Sequence, residues 1–282
     1  MNTDAVAPTP ADDWLDFQHK WVAAYADFEL AVRFMPALEQ RDALAFMCMG
    51  FELEQAAFGI REPVVATTKL QWWGEELGGT LAPRHPLTKR LAGNMRFRAI
   101  PADAWHAVIA GALAQRDNEP ASRLEGLLAH YSRLHAPLAG IEATLLPGVD
   151  AEASAQVLDL ARAARSAGAL PALVEVDQLP LPLDLLARHQ LSRSELASAS
   201  VAREAALRDH FAELAGRLDS VLAAQAQLSL PRRMLALLVR WQCARAARAS
   251  DPLQAWNAAQ GRLPLALTWS AWRAARRDSA AG

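Results

Sequence analysis

Trp14, Phe17, Trp21, Tyr25 and Phe28 follow one another at steps of three and four. A helix gathers residues at that spacing onto one face, whereas a strand scatters them over both. The same period continues between breakers down the chain. No stretch alternates apolar and polar positions with β-branched residues. Ala and Leu crowd out Val and Ile, a balance that favours helix over strand. These features predict an all-α protein. A hydrophobic share of 52% over 282 residues is ample for a packed core.

The first helix is expected to run from Trp14 to a break at Pro36, which can also open the next helix. That second helix, about Ala37 to Phe58, carries Leu38, Leu44, Phe46, Met47, Phe51 and Leu53. It is apolar on more than one side, as the central helix of a bundle is. Pro63 suits the first position of a third helix that ends at Gly78–Gly79. Further breakers stand at Pro83 to Pro86, Asn118 to Pro120, Pro147 to Asp150, Val176 to Pro182, Leu230–Pro231, Ser250 to Pro252 and Gly261 to Pro264. Ser192-x-x-Glu195 has the form of a capping box, and the helix it starts is expected to reach about Gln227. The pattern amounts to roughly ten helices in one domain over residues 12–282, with two bundled halves as the other arrangement it allows. Residues 1–11 are polar and acidic and are expected to form a disordered tail.

The net charge of −2, from 29 basic and 31 acidic residues, speaks against a general nucleic-acid binder. The first residues lack the basic and apolar regions of a signal peptide. The longest apolar stretch, Ala43 to Phe51, is far short of the roughly 20 residues that a membrane-spanning helix needs. A soluble, cytoplasmic protein is expected, with at most peripheral membrane contact. Cys48 and Cys243 lie far apart in apolar surroundings, which suits free thiols in a reducing compartment. His130 and His135 are five residues apart, off the spacing of a helical zinc pair, and no metal site is expected. There is no P-loop, GxGxxG or GxSxG pattern, so nucleotide binding and nucleophilic acyl chemistry have no support.

Four segments resemble the squalene/phytoene synthase family. Phe34-Met35-Pro36 followed by Arg41 is similar to the family's "FLP…R" entry into its first catalytic helix. Lys69 to Leu77, KLQWWGEEL, is close to "RLQWWREEL", and its double Trp is the most specific of the four signals. Leu181 to His189, LPLDLLARH, followed by Leu191-Ser192, resembles "YLPLDLLARHGLS". Ala266 to Arg273, containing LTWSAWR, is similar to the Trp-rich terminal helix. Order and spacing agree from residue 14 to 277. The resemblance implies the isoprenoid-synthase fold, an all-α bundle around a deep central cavity.

Active members of that family carry a DDxxD-like motif downstream of the arginine that matches Arg41. Counting on without gaps reaches Ala56, Ala57, Phe58, Gly59 and Ile60, where no carboxylate stands. The second, DxxED-like motif precedes the Leu-Pro step, and counting back reaches Ala169, Ala172 and Leu173. Magnesium is a hard cation held through carboxylates and substrate phosphates. Departure of a diphosphate requires its charge to be neutralised, which metal ions do. No head-to-head prenyl transfer is therefore expected, and no catalytic residue, cofactor or metal ligand is assigned. Ser166 to Leu173, SAGALPAL, further resembles a branch of the family related to mitochondrial complex I assembly factors, which shows a similar loss of aspartates.

Arg41, Glu52, Arg61, Lys69, Trp72, Trp73 and Glu76 are the candidates to line the cavity or to pair with one another. Glu52 and Glu54 sit about 200° apart on a helix, so one of them can face the cavity while a surface or helix-paired role remains for either. If Glu52 is buried, Arg61 or Lys69 is the expected partner. Trp72 and Trp73 cannot share a face; one belongs to the core and the other to a groove or cavity wall. Glu75 and Glu76 can pair with Arg41 or Lys69. At the C-terminus, Leu265, Trp269 and Trp272 form one stripe, followed by Arg273, Arg276 and Arg277. Such a segment either docks on its own core or lies at a membrane interface.

Three functional readings follow. The first is a non-catalytic protein that binds an apolar lipid or isoprenoid, or that scaffolds a protein partner. The second is an active prenyltransferase with rearranged magnesium ligands drawn from Glu52, Asp159, Glu175 or Asp177. The third is a membrane-peripheral interaction protein.

Overall fold

A computed structural model describes residues 13–35, 37–79, 82–117, 119–224 and 227–281, with side chains omitted at 26, 32, 37–40 and 274–281. The expected tail at 1–11, the breaker Pro36, and the side chains of Leu38, Arg276 and Arg277 lie outside that description. The elements in order are α1 Leu15–Ala24, α2 Ala26–Phe34, α3 Ala37–Glu54, a π-turn at Gln55–Gly59, α4 Pro63–Leu77, α5 Pro86–Leu91, α6 Met95–Arg98 and α7 Ala102–Ala114. Then come α8 Leu124–Leu145, α9 Ala151–Gly168, α10 Leu170–Val174, α11 Leu183–Arg188, a 3₁₀ turn at Arg193–Ala197, α12 Val201–Ala223, α13 Leu230–Ala246, α14 Pro252–Ala259 and α15 Leu265–Ala281. Among the described residues there is no strand. No helix of the described chain is long and apolar enough to cross a membrane.

The first expected helix is two. Tyr25 is extended (φ −131°, ψ 101°) and separates α1 from α2. The aromatic face survives the break, because Trp21, Tyr25 and Phe28 all converge on Phe51 of α3 at ring distances of 4.6–5.3 Å. α3 is buried almost all round from Ala43 to Leu53, as its two-sided apolar pattern required. Pro63 stands in the first turn of α4, and Gly79 follows its end at φ 73°. The Ser192–Glu195 capping box is formed but starts only the 3₁₀ turn. The long helix begins later, at Val201, with the Ser200 hydroxyl accepting from the Arg203 N–H.

The most extensive pairings join α8 to α9, α7 to α8 and α12 to α13. One apolar cluster lies among α8, α9, α12, α13 and α14, and a second among α1, α3, α4, α7 and α8, with Phe58 packed against both. α15 docks on α2 and α13 through Leu267 and Ala271, not through the stripe expected to face inward. Leu265 (88% exposed) and Trp269 (58% exposed) face away, and Trp269 stacks on Trp272 at 4.7 Å. Cys48 and Cys243 are free and buried, and burial pushes the Cys48 thiol up to about 12.

Polar tethers hold the helices in register. Glu142 of α8 is buried and accepts from Arg232 Nε and from Ser229 Oγ, both at 2.7 Å, at the start of α13. At Gly111 a Cβ would lie 1.9 Å from the Arg133 carbonyl oxygen, so α7 and α8 approach there without room for a side chain. Two predictions follow. Glu142→Gln leaves Arg232 charged and buried and destabilises by about 3–5 kcal/mol in urea titrations. Gly111→Ala destabilises by about 2 kcal/mol or more, whereas Gly140→Ala, on an open face of α8, stabilises by up to about 1 kcal/mol.

Candidate functional site

Past Glu54, α3 winds into the π-turn, closed by an Ile60 N–H to Gln55 carbonyl bond of 3.2 Å. The wider winding buries Ala56 and Ala57 and turns Phe58 toward α8. The carbonyls left at the end of the turn are capped by Arg116 of the α7–α8 connection, at 2.8 Å from Ile60 O, 3.3 Å from Arg61 O and 3.4 Å from Ala57 O. The second motif stretch falls where α9 gives way to α10 at Ala169, with Pro171 in the first turn of α10.

The structure brings part of the two stretches together. Ala57 and Leu173 line one cleft of about 70 Å³, with Phe58, Tyr131, Arg116 and Arg162. The other motif positions disperse. Ala56 packs in the core of α3, Ile60 offers its carbonyl to Arg116, and Ala172 is exposed. Ala169 lines a separate pocket of about 310 Å³ beside Tyr25, Asp27, Arg165 and Trp256.

Whether the centre of the bundle is open or filled was not decided by the sequence. Between α3, α8 and α9 the described side chains pack closely and leave the 70 Å³ cleft. Phe58 meets Tyr131 edge-on at 5.9 Å and carries the Arg162 guanidinium over its face at 3.9 Å. Glu54 stands 4.0 Å from both His135 Nε2 and Arg165 Nη1. His135 Nδ1 lies 2.7 Å from Asp159, and Arg165 covers the Tyr25 ring at 4.7 Å. Burial raises the Asp159 carboxyl and the Tyr25 hydroxyl above their ordinary values and lowers Arg162. A larger groove, about 490 Å³, opens over α9 between α8 and α12. It is lined by Leu128, Leu160, Val221 and Ala224 together with Gln156, Asp159, Ser220 and the Arg217–Glu125 pair.

The candidate pairing residues do not meet in this cleft. Glu52 is buried and accepts from Lys69 Nζ at 2.9 Å, as expected, but also from Lys20 Nζ and from Trp21 Nε1 at 3.2 Å. Arg61 is exposed and takes no part, because the π-turn carries it past the end of the helix. Lys20 lies 32 residues from Glu52, and no local pattern marks the contact. Glu76 pairs with neither Arg41 nor Lys69. It accepts from the Arg84 and His85 N–H groups at 2.7 and 2.8 Å, from Arg84 Nε at 3.3 Å and from the Thr88 hydroxyl, fastening the chain before α5 onto α4. Arg84 also reaches Glu75, at 3.7 Å. Arg41 is exposed; its neighbour Asp42 makes the tertiary pair, 2.6 Å from Arg90. Trp73 is buried and Trp72 half-buried, both against His85, so the expected division holds but the walls belong to the α4–α5 junction.

Replacement carboxylates do not converge either. Glu52 is engaged by lysines and Asp159 by His135. Asp177 pairs with Arg193 at 2.8 Å, and Glu175 is exposed. Among the described residues no group of three or more His, Cys, Asp or Glu can hold a metal ion. The motif positions themselves do not fit a magnesium cluster, since Ala57 and Leu173 offer no side-chain oxygen and two guanidiniums share their cleft. Two acids overlooked in the sequence, Asp117 and Glu119, do reach its rim from the α7–α8 connection.

No family model matches the chain, and no curated protein matches it by sequence. Solved structures do match in shape. A dehydrosqualene synthase in complex with ligand superposes with a TM-score of 0.73 at 10% identity, over 97% of this chain and 98% of that one. Squalene synthase HpnC from Alicyclobacillus acidocaldarius superposes with a TM-score of 0.67 at 12% identity, over 86% and 97%. The chain is therefore an all-α protein of the isoprenoid-synthase fold.

Glu52 yields a pH prediction. Burial raises its carboxyl, but hydrogen bonds from Lys20 and Lys69 outweigh burial and hold it below its ordinary 4.5. A carboxyl lowered in the folded state contributes stability above its unfolded value and loses it as pH falls through the folded one. Urea titrations should show stability falling as pH drops below about 4.5, and Glu52→Gln should flatten that slope while lowering stability at pH 7.

Proposed function

We propose that this protein keeps the squalene/phytoene synthase fold without its prenyl-transfer chemistry and acts by binding. One observation carries the reading. Ala57 and Leu173, where the two metal motifs would face each other, do share a cleft, and that cleft is only about 70 Å³, walled by Phe58 and Arg162. Small-molecule pockets run to roughly 300–1,000 Å³, so an isoprenoid chain has no room there. The 490 Å³ groove over α9 falls in that range and is the place for an apolar lipid or isoprenoid. The other mode of action is a scaffold for a protein partner, as in the assembly-factor branch that Ser166 to Leu173 resembles. A cytoplasmic location goes with either, with any membrane contact peripheral and made through Leu265 and Trp269.

A second reading, an active prenyltransferase with rearranged ligands, has one observation in its favour. Asp117 and Glu119 line the same cleft, and magnesium is often held by only one or two carboxylates plus substrate phosphates. Calorimetry with a non-hydrolysable farnesyl diphosphate analogue, with and without magnesium, separates the two. The expected outcome is no magnesium-dependent binding, with farnesol bound in the groove or not at all. Tight binding that needs both metal and diphosphate, and that is lost in Asp117→Asn/Glu119→Gln, would establish the second reading instead.

A further inference from the structure

Arg162 extends from α9 into the cleft between the two lost motifs. Its Nε is buried with no hydrogen-bond partner, and its guanidinium lies over the face of Phe58. No carboxylate of the described chain lies within ion-pair distance of it; Glu54 of α3 acts on it through space from beside Arg165, 4.0 Å away from that residue. Asp117 and Glu119 are exposed at the rim and do not reach it. A buried guanidinium nitrogen without a hydrogen-bond partner is unfavourable, and an oxyanion in the cleft would supply the missing acceptor.

The surroundings suit an anion. The planar fork of Arg162 presents paired N–H donors that match two oxygens of one oxyanion. Arg116 adds a second positive charge while its own donors stay on the π-turn carbonyls. Tyr131 donates to Ser166 Oγ at 3.3 Å, which leaves the Ser166 hydroxyl as a further donor beside the cleft. At roughly 10–15 Å³ of accessible space per water, 70 Å³ holds about five waters, the number of heavy atoms in one phosphate group.

We propose that this cleft binds a single oxyanion, a phosphate or carboxylate group, directly on Arg162 and without a divalent cation. The proposal deepens the non-catalytic reading and rests on it in one respect: the anion is held and not ionised away from a carbon. Arg162 is then a binding residue, standing where the lost motifs would have placed a metal.

Calorimetry on the full chain in EDTA, with inorganic phosphate, pyrophosphate and acetate in turn, tests it. The expected result is metal-free binding of at least one of them, weakened at least tenfold in Arg162→Met and less in Arg162→Lys, which keeps the charge but loses the fork. Melting temperatures provide a readout that a structural role would not give. Without anion, Arg162→Met should melt higher than the native chain, because an unpaired buried charge is gone. Saturating anion should raise the melting temperature of the native chain and not that of the variant. Repeating the titration with phosphatidic acid vesicles separates the sources: binding to vesicles but not to free phosphate assigns a lipid head group, and the reverse assigns a soluble anion. No binding of any anion with or without magnesium, or equal binding by Arg162→Met, would overturn the anion site and leave the non-catalytic reading standing. Binding that appears only with magnesium would overturn that reading as well.

Discussion

Charge at the centre of a helical bundle has to be matched from within the protein, because the water that would solvate it is excluded. The space among α3, α8 and α9 is filled under that constraint. Glu54 lies between His135 and Arg165, His135 takes Asp159, and Arg165 covers Tyr25. α3, α8, α9 and the α1–α2 break each supply a member. The helices therefore meet in one register or leave a charge unmatched. Glu142 with Arg232 imposes the same condition on α8 and α13, and Glu76 with Arg84 and Thr88 imposes it on α4 and α5.

Close packing marks the place where Ala57 and Leu173 come together. Here Phe58 and Arg162 occupy the space beside Ala57 and Leu173, and Arg116 closes the end of the π-turn. Likeness in shape to a dehydrosqualene synthase and to squalene synthase HpnC establishes the architecture. Function is a property of the site and not of the fold.

Much of the fold was legible because its signals are local. Pro63 and Gly79 bracket α4, the two-sided apolar run of α3 marks it as central, and the aromatic steps from Trp14 to Phe28 mark one buried face. The site was legible in part. The Lys69 partner of Glu52 and the unequal burial of Trp72 and Trp73 could be read from spacing. Lys20 at Glu52, Thr88 at Glu76, and Asp117 and Glu119 at the cleft could not, since nothing near those residues in sequence records the contact. The α1–α2 break is of the same kind. Tyr25 leaves the helix while its ring packs on Phe51 and lies under Arg165, and those contacts outweigh the local preference to continue the helix.

By itself, the sequence determined that the chain is helical and that Pro and Gly breakers separate its helices, as at both ends of α4. Periodicity and Pro and Gly placement act within a turn or two, so they are written in the sequence itself, and distant contacts override them only locally, as at Tyr25. Only the tertiary structure decided that Phe58, Tyr131 and Arg162 pack together at the bundle centre, that α15 docks through Leu267 and Ala271 and not through its Trp stripe, and that Arg162 Nε is left without a partner. Those outcomes depend on which side chains of distant helices share a space, and the geometry of helix packing settles that.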